Sequence, residues 1–456
     1  MQGPAGRVSL RRVAPVFLDA LRRFEAPGEH EDRLVELIRG GGDGSLTRWY
    51  YYLERLSRRG LLCQCAHADG IRLATLKVVS PAFVSRPTRV VPGRRYILSR
   101  FAFLGRPRGE AVVESPLAHA RVVLNDGRAA AIVGGLVAST TAEQLAGRVG
   151  GLSADAVAGL LALLLRANLI EEAGAEEDSV LQTWEFHDLL FHARSRTGRS
   201  DARHGGTCRL AGRIAPPPAL KRAPVGETQE LYRPDLARLE RDDPTLARVQ
   251  ELRCSVRDFD AGHPITDRQL GEFLFRVGRV KECWQADLAT DSGSIRMDFA
   301  SRPYPAGGAV YELELYAAVN LCTGLRPGLY HYDPSGHRLT RLCGRTPEVG
   351  GLLRDAAQST AISADNVQVL LILAARFARV AWKYESIAYA LTLKHVGVVF
   401  QTMYLAATAM GLGPCAVGGG NADLFARAAG TDYYAETSVG EFLLGSQRRG
   451  PSSPAR

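Results

Sequence analysis

Two hydrophobic periods divide the chain. Over Glu31–Arg39 and Ser45–Arg59 apolar residues return every three or four positions, the spacing of an amphipathic helix, and Gly60-Leu61-Leu62 then leads into a strand. The order returns at Ala129–Leu136, Thr141–Val149 and Ser153–Asn168, ending on Leu169-Ile170, with arginine-bearing strands expected over Arg94–Leu104 between the two units. Helix, helix, glycine turn and strand is the order of a winged helix. The repeat therefore predicts two such domains in tandem, residues 1–100 and 101–175.

After residue 245 the pattern changes. Val367–Ala375 (VQVLLILAA) is an unbroken β-branched and aliphatic run, which predicts a buried strand, and Glu312–Val319 alternates as a strand does. Thr266-Asp267-Arg268-Gln269-Leu270 reads as a helix start. Ser386–Met410 predicts a long helix, apolar around most of its circumference and so buried. Lys394, His395 and Gln401 within it speak against a membrane span. Residues 176–245 predict a linker or arm: a short helix over Trp184–His192, six arginines (Arg194, Arg196, Arg199, Arg203, Arg209, Arg213), then Pro216-Pro217-Pro218. Residues 449–456 are expected to be a disordered tail.

Candidate chemistry concentrates in 246–448. Lys383 and Tyr384, side by side after the apolar strand, are two proton-transfer groups on a rigid support. The plain alternative is that Trp382 and Tyr384 pack while Lys383 reaches for water. Arg253, Ser255 and Arg257 alternate in an extended segment, which suits a phosphate with its several acceptor oxygens, though a solvated basic face has the same spacing. Pro305, Ala306, Gly307 and Gly308 let backbone pass close to a flat ligand or form a hairpin turn. Gly418, Gly419 and Gly420 give up side chains where something large approaches.

Read in order, Arg-x-Ser-x-Arg, Tyr-Pro-x-Gly-Gly-Ala-x-Tyr (304–311), Gly-Leu-Tyr-His-Tyr (328–332), Trp-Lys-Tyr (382–384), the helix from Tyr389 to Gln401 and Ala-Met-Gly-Leu-Gly (409–413) resemble a SagB-type dehydrogenase. These belong to the nitroreductase superfamily and include the thiazole and oxazole (azoline) oxidases of cyanobactin-like pathways. The resemblance covers roughly residues 250–446. It implies an α+β chain: a C-terminal FMN-dependent nitroreductase-like fold preceded by tandem winged-helix domains resembling peptide-recognition modules. The implied reaction is dehydrogenation of thiazolines or oxazolines to thiazoles or oxazoles in a ribosomally made peptide, with molecular oxygen as final acceptor. By resemblance, Arg253, Ser255 and Arg257 hold the FMN phosphate and ribityl chain, Pro305–Gly308 lie against the ring system, and Gly418–Gly420 flank it. Gln401 and Arg448 match further cofactor residues, and Lys383 and Tyr384 match the catalytic pair. An obligate homodimer is implied, with each FMN site built from both subunits, and a cyclodehydratase is a candidate partner enzyme.

Two departures bear on the flavin. Ala306 stands where many members have serine, and Lys394-His395-Val396-Gly397 where many read Asp-Ala-Gly-His. On the chemistry alone, Lys383 and Tyr384 have ordinary pKa values near 10; as neighbours they are expected to share a proton, the ammonium lowering the tyrosine and burial lowering the lysine. Which of the two is the base stays open.

Composition narrows the classes. In 456 residues, 46% hydrophobic content excludes wholesale disorder. A net charge of +9, spread along the chain, fits an anionic cofactor or acidic peptide without demanding nucleic acid. Eight cysteines lack paired Cys-x-x-Cys spacing, so no metal site is expected and reduced thiols suit a cytoplasmic protein. The apolar run Ala129–Ser139 is too short to span a bilayer. The helix from Ser153 is poor in basic side chains, so the N-terminal domains are read as docking modules for a leader peptide, by strand addition at a wing edge, rather than as DNA binders. Two other functions remain: an NAD(P)H-dependent nitroreductase acting on small molecules, and a non-catalytic docking or regulatory protein.

Overall fold

The computed structural model describes residues 2–3, 6–7, 10, 13–24, 28–42, 44–84 and 88–448, so the expected tail, 449–456, lies outside the described residues. The chain divides into two compact units, Met1–Arg203 and His204–Arg456.

The first unit carries the expected helices with small shifts at their ends: Glu31–Arg39, Ser45–Arg58, Gly127–Gly135, Ala142–Val149 and Ala154–Arg166. Ser153 caps the last by accepting from the Ala156 amide, and Thr141 with Gln144 forms a capping box, so both starts follow from local side chains. A five-stranded sheet runs in the order Gln64–Ala68, Ile71–Val78, Ala120–Leu124, Ala111–Glu114, Phe103–Gly105. One core joins Leu73, Leu76 and Val122 of the sheet to Ile132, Leu145, Leu160 and Leu164 of the helices. The boundary expected between residues 100 and 101 thus falls inside a single sheet and a single core. A smaller core gathers Phe17, Leu34, Ile38 and Trp49 from the helices Pro15–Arg22, Glu31–Arg39 and Ser45–Arg58.

In the second unit an antiparallel seven-stranded sheet has the order Glu227–Glu230, Arg338–Cys343, Gly328–Asp333, Leu313–Val319, Val369–Arg376, Glu436–Ser446, Leu412–Val417. Strand Leu313–Val319, expected over Glu312–Val319, is central and buried at every position. One sheet face packs on the helix Asp267–Gly278 and the long helix Ala388–Ala409; the other packs on Pro347–Thr360 and Ala422–Ala429. The result is three layers, helices over both faces of a sheet. The unit begins at His204, ahead of the expected 246, because Glu227–Glu230 supplies the sheet edge and earlier residues lie along the site described below.

The long helix is not buried all round. Thr392, His395, Val396, Val399, Met403 and Ala407 face the core, while Tyr389 is 48% and Leu393 39% exposed and Gln401 is exposed too. One side covers the sheet, while Leu393 and Gln401 stay exposed on the other. Among the described residues, no single helix is long and apolar enough to cross a membrane.

Candidate active site

Lys383 and Tyr384 do not sit directly at the strand end. Strand Val369–Arg376 passes into one helical turn, Phe377–Ala381, and the pair follows it. Wholly buried Trp382 anchors the turn, its indole N–H donating to the Ile214 carbonyl at 2.7 Å. The segment at 205–208 lies alongside: Gly205 and Glu385 exchange backbone hydrogen bonds at 3.1 and 2.9 Å, and the Cys208 amide donates to the Lys383 carbonyl at 3.0 Å. Part of the expected arm is therefore a splint for the lysine–tyrosine segment.

The two side-chain tips meet the glycine loop. Lys383 Nζ donates to the Gly308 carbonyl at 3.2 Å and lies 5.4 Å from the Phe299 ring centre. Gly308 adopts φ +61°, and a Cβ there would stand 2.5 Å from the Tyr384 hydroxyl and 2.6 Å from Lys383 Nζ, so a side chain would displace both tips in a conformation that favours glycine. Ala309 (φ 52°) and Tyr311 (φ 43°) are left-handed as well, a conformation costing about 1–3 kcal/mol outside glycine.

What holds this loop is a relay. Glu312, at 0% exposure, accepts from His395 Nδ1 at 2.7 Å, and His395 Nε2 accepts the Gly307 amide at 2.7 Å. The amide can only donate, so Nε2 must be the bare nitrogen and the ring proton lies on Nδ1. Tyr311 adds a hydroxyl bond to the Tyr304 carbonyl at 2.8 Å.

Burial acts on both members of the pair. It pushes the Lys383 ammonium below the ordinary lysine value, with Arg379 nearby in the same sense, and pushes the Tyr384 phenol above the ordinary tyrosine value. The tyrosine shift is opposite to the expected one. Loss of water outweighs whatever the ammonium offers, leaving an amine that gives up its proton more readily beside a phenol that keeps its own.

Two other groups of expected residues cluster elsewhere. Arg253 lies over the Tyr404 ring, 5.3 Å from its centre, and Ser255 Oγ is 2.8 Å from the Tyr404 hydroxyl, which also accepts the Ala416 amide at 2.9 Å. Arg257 is exposed on the same segment, and the last strand returns beside it, where Arg448 Nε meets Asp258 at 3.4 Å. The second group surrounds a pocket of about 370 Å³ lined by Gly418–Gly420, Phe400 and Glu441. A Cβ at Gly420 would collide with the Glu441 carboxylate. Burial pushes that carboxylate up to about 7, against a hydrogen bond from Ser438.

The long helix touches all three groups, through His395, Phe400 and Tyr404. At 3.6 residues per turn, His395 and Phe400 point about 140° apart. The lysine–tyrosine loop and the triglycine pocket therefore lie on different flanks of this helix within one chain. Gln401 is exposed one turn before Tyr404. Pro305 is exposed and Ala306 half-buried at the head of the glycine loop.

Sequence reading passed over Glu312, Tyr404 and Glu441, and noted His395 only as a departure. A signal existed for Glu441, a charge inside the apolar run Val439–Leu444, and for Glu312 at the head of a buried strand. Nothing local marks Tyr404.

Similarity to known proteins bears on both units. The cyanobactin oxidase ThcOx model matches residues 96–201, and the nitroreductase family model matches 252–445. A nitroreductase-family protein of Methanocaldococcus jannaschii is 31% identical over 194 residues, covering 42% of this chain and 86% of that protein. Among solved structures, a nitroreductase-family protein of Ralstonia eutropha aligns at TM-score 0.37 and 18% identity, over 55% of this chain and 99% of that one. A chain of the E. coli microcin synthetase McbBCD complex, solved with truncated pro-MccB17 bound, aligns at TM-score 0.34 and 18% identity, over 60% and 99%. By its identity to the Methanocaldococcus protein across most of that protein's length, and with a cyanobactin-oxidase segment before the matched region, this chain belongs to the nitroreductase family of oxidoreductases.

Proposed function

We propose that the protein dehydrogenates thiazoline or oxazoline rings of a ribosomally made peptide to thiazoles or oxazoles, with FMN as cofactor. The observation that carries this reading is the convergence of Lys383 Nζ and the Tyr384 hydroxyl on Gly308, in a chain whose residues 96–201 match the cyanobactin oxidase model.

The residues present fit FMN. Arg253, Arg257 and the Ser255 hydroxyl offer the donors a phosphate monoester needs. Gly308 and Gly420 stand where any side chain would strike Lys383, Tyr384 or Glu441, so backbone forms the walls a flat ring requires. When bound, the flavin supplies a hydride acceptor. The chain's own task is the α proton of the azoline. Lys383, its pKa lowered by burial, takes that proton, and Tyr384, its pKa raised, remains a phenol that donates a hydrogen bond. The neutral His395 and buried Glu312 keep the Gly307 amide engaged and the loop closed against the pair.

Because the glycine loop and the triglycine pocket lie on different flanks of the long helix, the reading includes a homodimer in which each FMN is shared between copies. Leu393 and Gln401, exposed on the long helix away from its core-facing residues, support it. The first unit, whose strands on either side of residue 100 share one sheet, is read as a docking module that receives the leader of the azoline-bearing precursor, with a cyclodehydratase as partner enzyme.

The test is the absorption spectrum of the purified protein, then mass spectrometry of a thiazoline peptide incubated with it in air. Flavin bands and loss of two hydrogens per ring are expected. A yellow protein that leaves the peptide unchanged but is bleached by NAD(P)H would replace this reading with small-molecule nitroreduction.

A further inference from the structure

Among the described residues the pocket at Gly418–Gly420 is lined by one ionisable side chain, Glu441, and nothing in the reaction just proposed uses it. Glu441 lies on strand Glu436–Ser446, in register with Ile372 and Val417 of the flanking strands, and is 7% exposed. Each element around it is uncharged where it faces the pocket. Its own strand presents Ser438 and Gly440, the neighbouring strand and loop Val417–Gly420, the following helix Ala422, and the long helix Phe400. Asp355, on the helix Pro347–Thr360, is engaged with Asn421 at 3.3 Å. Among the described residues the carboxyl thus has a hydroxyl partner and no cation, and a side chain at Gly420 would collide with it.

Resting on the flavin reading, we propose that Glu441 is, in its neutral form, a hydrogen-bond donor to the ring system that occupies the triglycine pocket. A carboxylate in that position could only accept. Covered by a flat, largely apolar ring, it would lose its remaining water without a compensating charge, which disfavours the ionised form. A protonated carboxyl instead turns an O–H toward a ring carbonyl or ring nitrogen, both acceptors. Burial already raises the carboxyl pKa to about 7. Ring binding should raise it further.

The experiment titrates flavin-free full-length protein with FMN between about pH 6 and 9, reading the dissociation constant from flavin fluorescence, for the wild type and Glu441→Gln. The ratio of the two constants removes the ligand's own ionisation, and riboflavin serves as a probe without phosphate. A required proton makes the wild-type constant rise about tenfold per pH unit above the group's pKa, while the glutamine variant follows no such slope. In parallel, calorimetry of the wild type at pH 8 in buffers of different ionisation enthalpy should find close to one proton taken up per flavin, which decides the matter even if the variant fails to fold. A ratio constant across pH, no proton uptake, or wild-type binding that tightens relative to the variant as pH rises would each overturn the proposal while leaving the flavin reading in place. Absence of FMN binding by the wild type at every pH overturns both.

Discussion

Lys383 and Tyr384 share a half-buried setting, and burial drives their pKa values in opposite directions. For catalysis the sign is definite. Proton abstraction needs the neutral amine, so the rate of azole formation should rise with pH through a value below the ordinary lysine pKa of about 10.4. Tyr384, shifted up, should hold its proton across that range and bring any fall in rate only above about 10. Lys383→Met should lower the rate about 10²- to 10⁴-fold with FMN still bound, the usual contribution of a positioned base. Initial rates against pH for the wild type, Lys383→Met and Tyr384→Phe would check this. A Tyr384→Phe profile that loses the rising limb would move the base to the tyrosine. Gly308→Ala is a separate probe of the same geometry. The alanine methyl would meet the Tyr384 hydroxyl at 2.5 Å in a backbone conformation alanine avoids. Displacing the pair by even 1 Å costs on the order of 10²-fold in rate. Circular dichroism should remain unchanged, since Gly308 is exposed.

At the scale of elements, the relay Glu312–His395–Gly307 ties the long helix to the glycine loop. His395→Ala leaves Glu312 buried without its ring partner and the Gly307 amide without an acceptor, and should cost about 1–3 kcal/mol. Urea unfolding compared with Lys394→Ala, an exposed neighbour expected within about 0.5 kcal/mol of wild type, would measure it. Much of this level was legible in the sequence. Thr266 with Gln269 announced a helix and forms its capping box; the apolar run at 367–375 announced a buried strand, found at Val369–Arg376; Gly411 announced the end of the long helix. The turn Phe377–Ala381 was not legible, because five residues are too few for a helical period to register beside a strong strand signal. Nor was the pairing of 205–208 with 383–385, since contacts across such a separation leave no mark on either segment. The tyrosine's shift failed for a related reason: adjacency in sequence revealed the ammonium, while burial depends on Phe299, Cys208 and Trp382, which only folding brings near.

For the whole molecule, the long helix decides how many chains make a site. Within one chain, Lys383 and Tyr384 reach the helix at His395 by way of the glycine loop, whereas Arg253 and Ser255 reach it at Tyr404 and the triglycine pocket at Phe400, on another flank. In the homodimer proposed above, a ring contacted by Gly308 and a phosphate contacted by Arg253 belong to different copies, related by its two-fold axis. This arrangement makes an arithmetic prediction. Homodimers of Lys383→Met lack both bases, and homodimers of Arg253→Ala lack both phosphate clamps, so each preparation alone should be nearly inactive. Mixed after reversible dissociation, half the dimers are heterodimers, in which one site carries both lesions and the other carries neither. Activity should return to roughly a quarter of wild type. If both groups served one site within a single chain, every site in every mixed dimer would carry one lesion and mixing would restore nothing. Thiazole formation by the remixed variants, with exchange verified by native mass spectrometry of differently tagged chains, separates the two arrangements. Leu393→Arg on the exposed helix face should prevent the recovery by keeping the chains apart, and it should weaken FMN binding in an otherwise unaltered chain, because a monomer holds only half of each cradle.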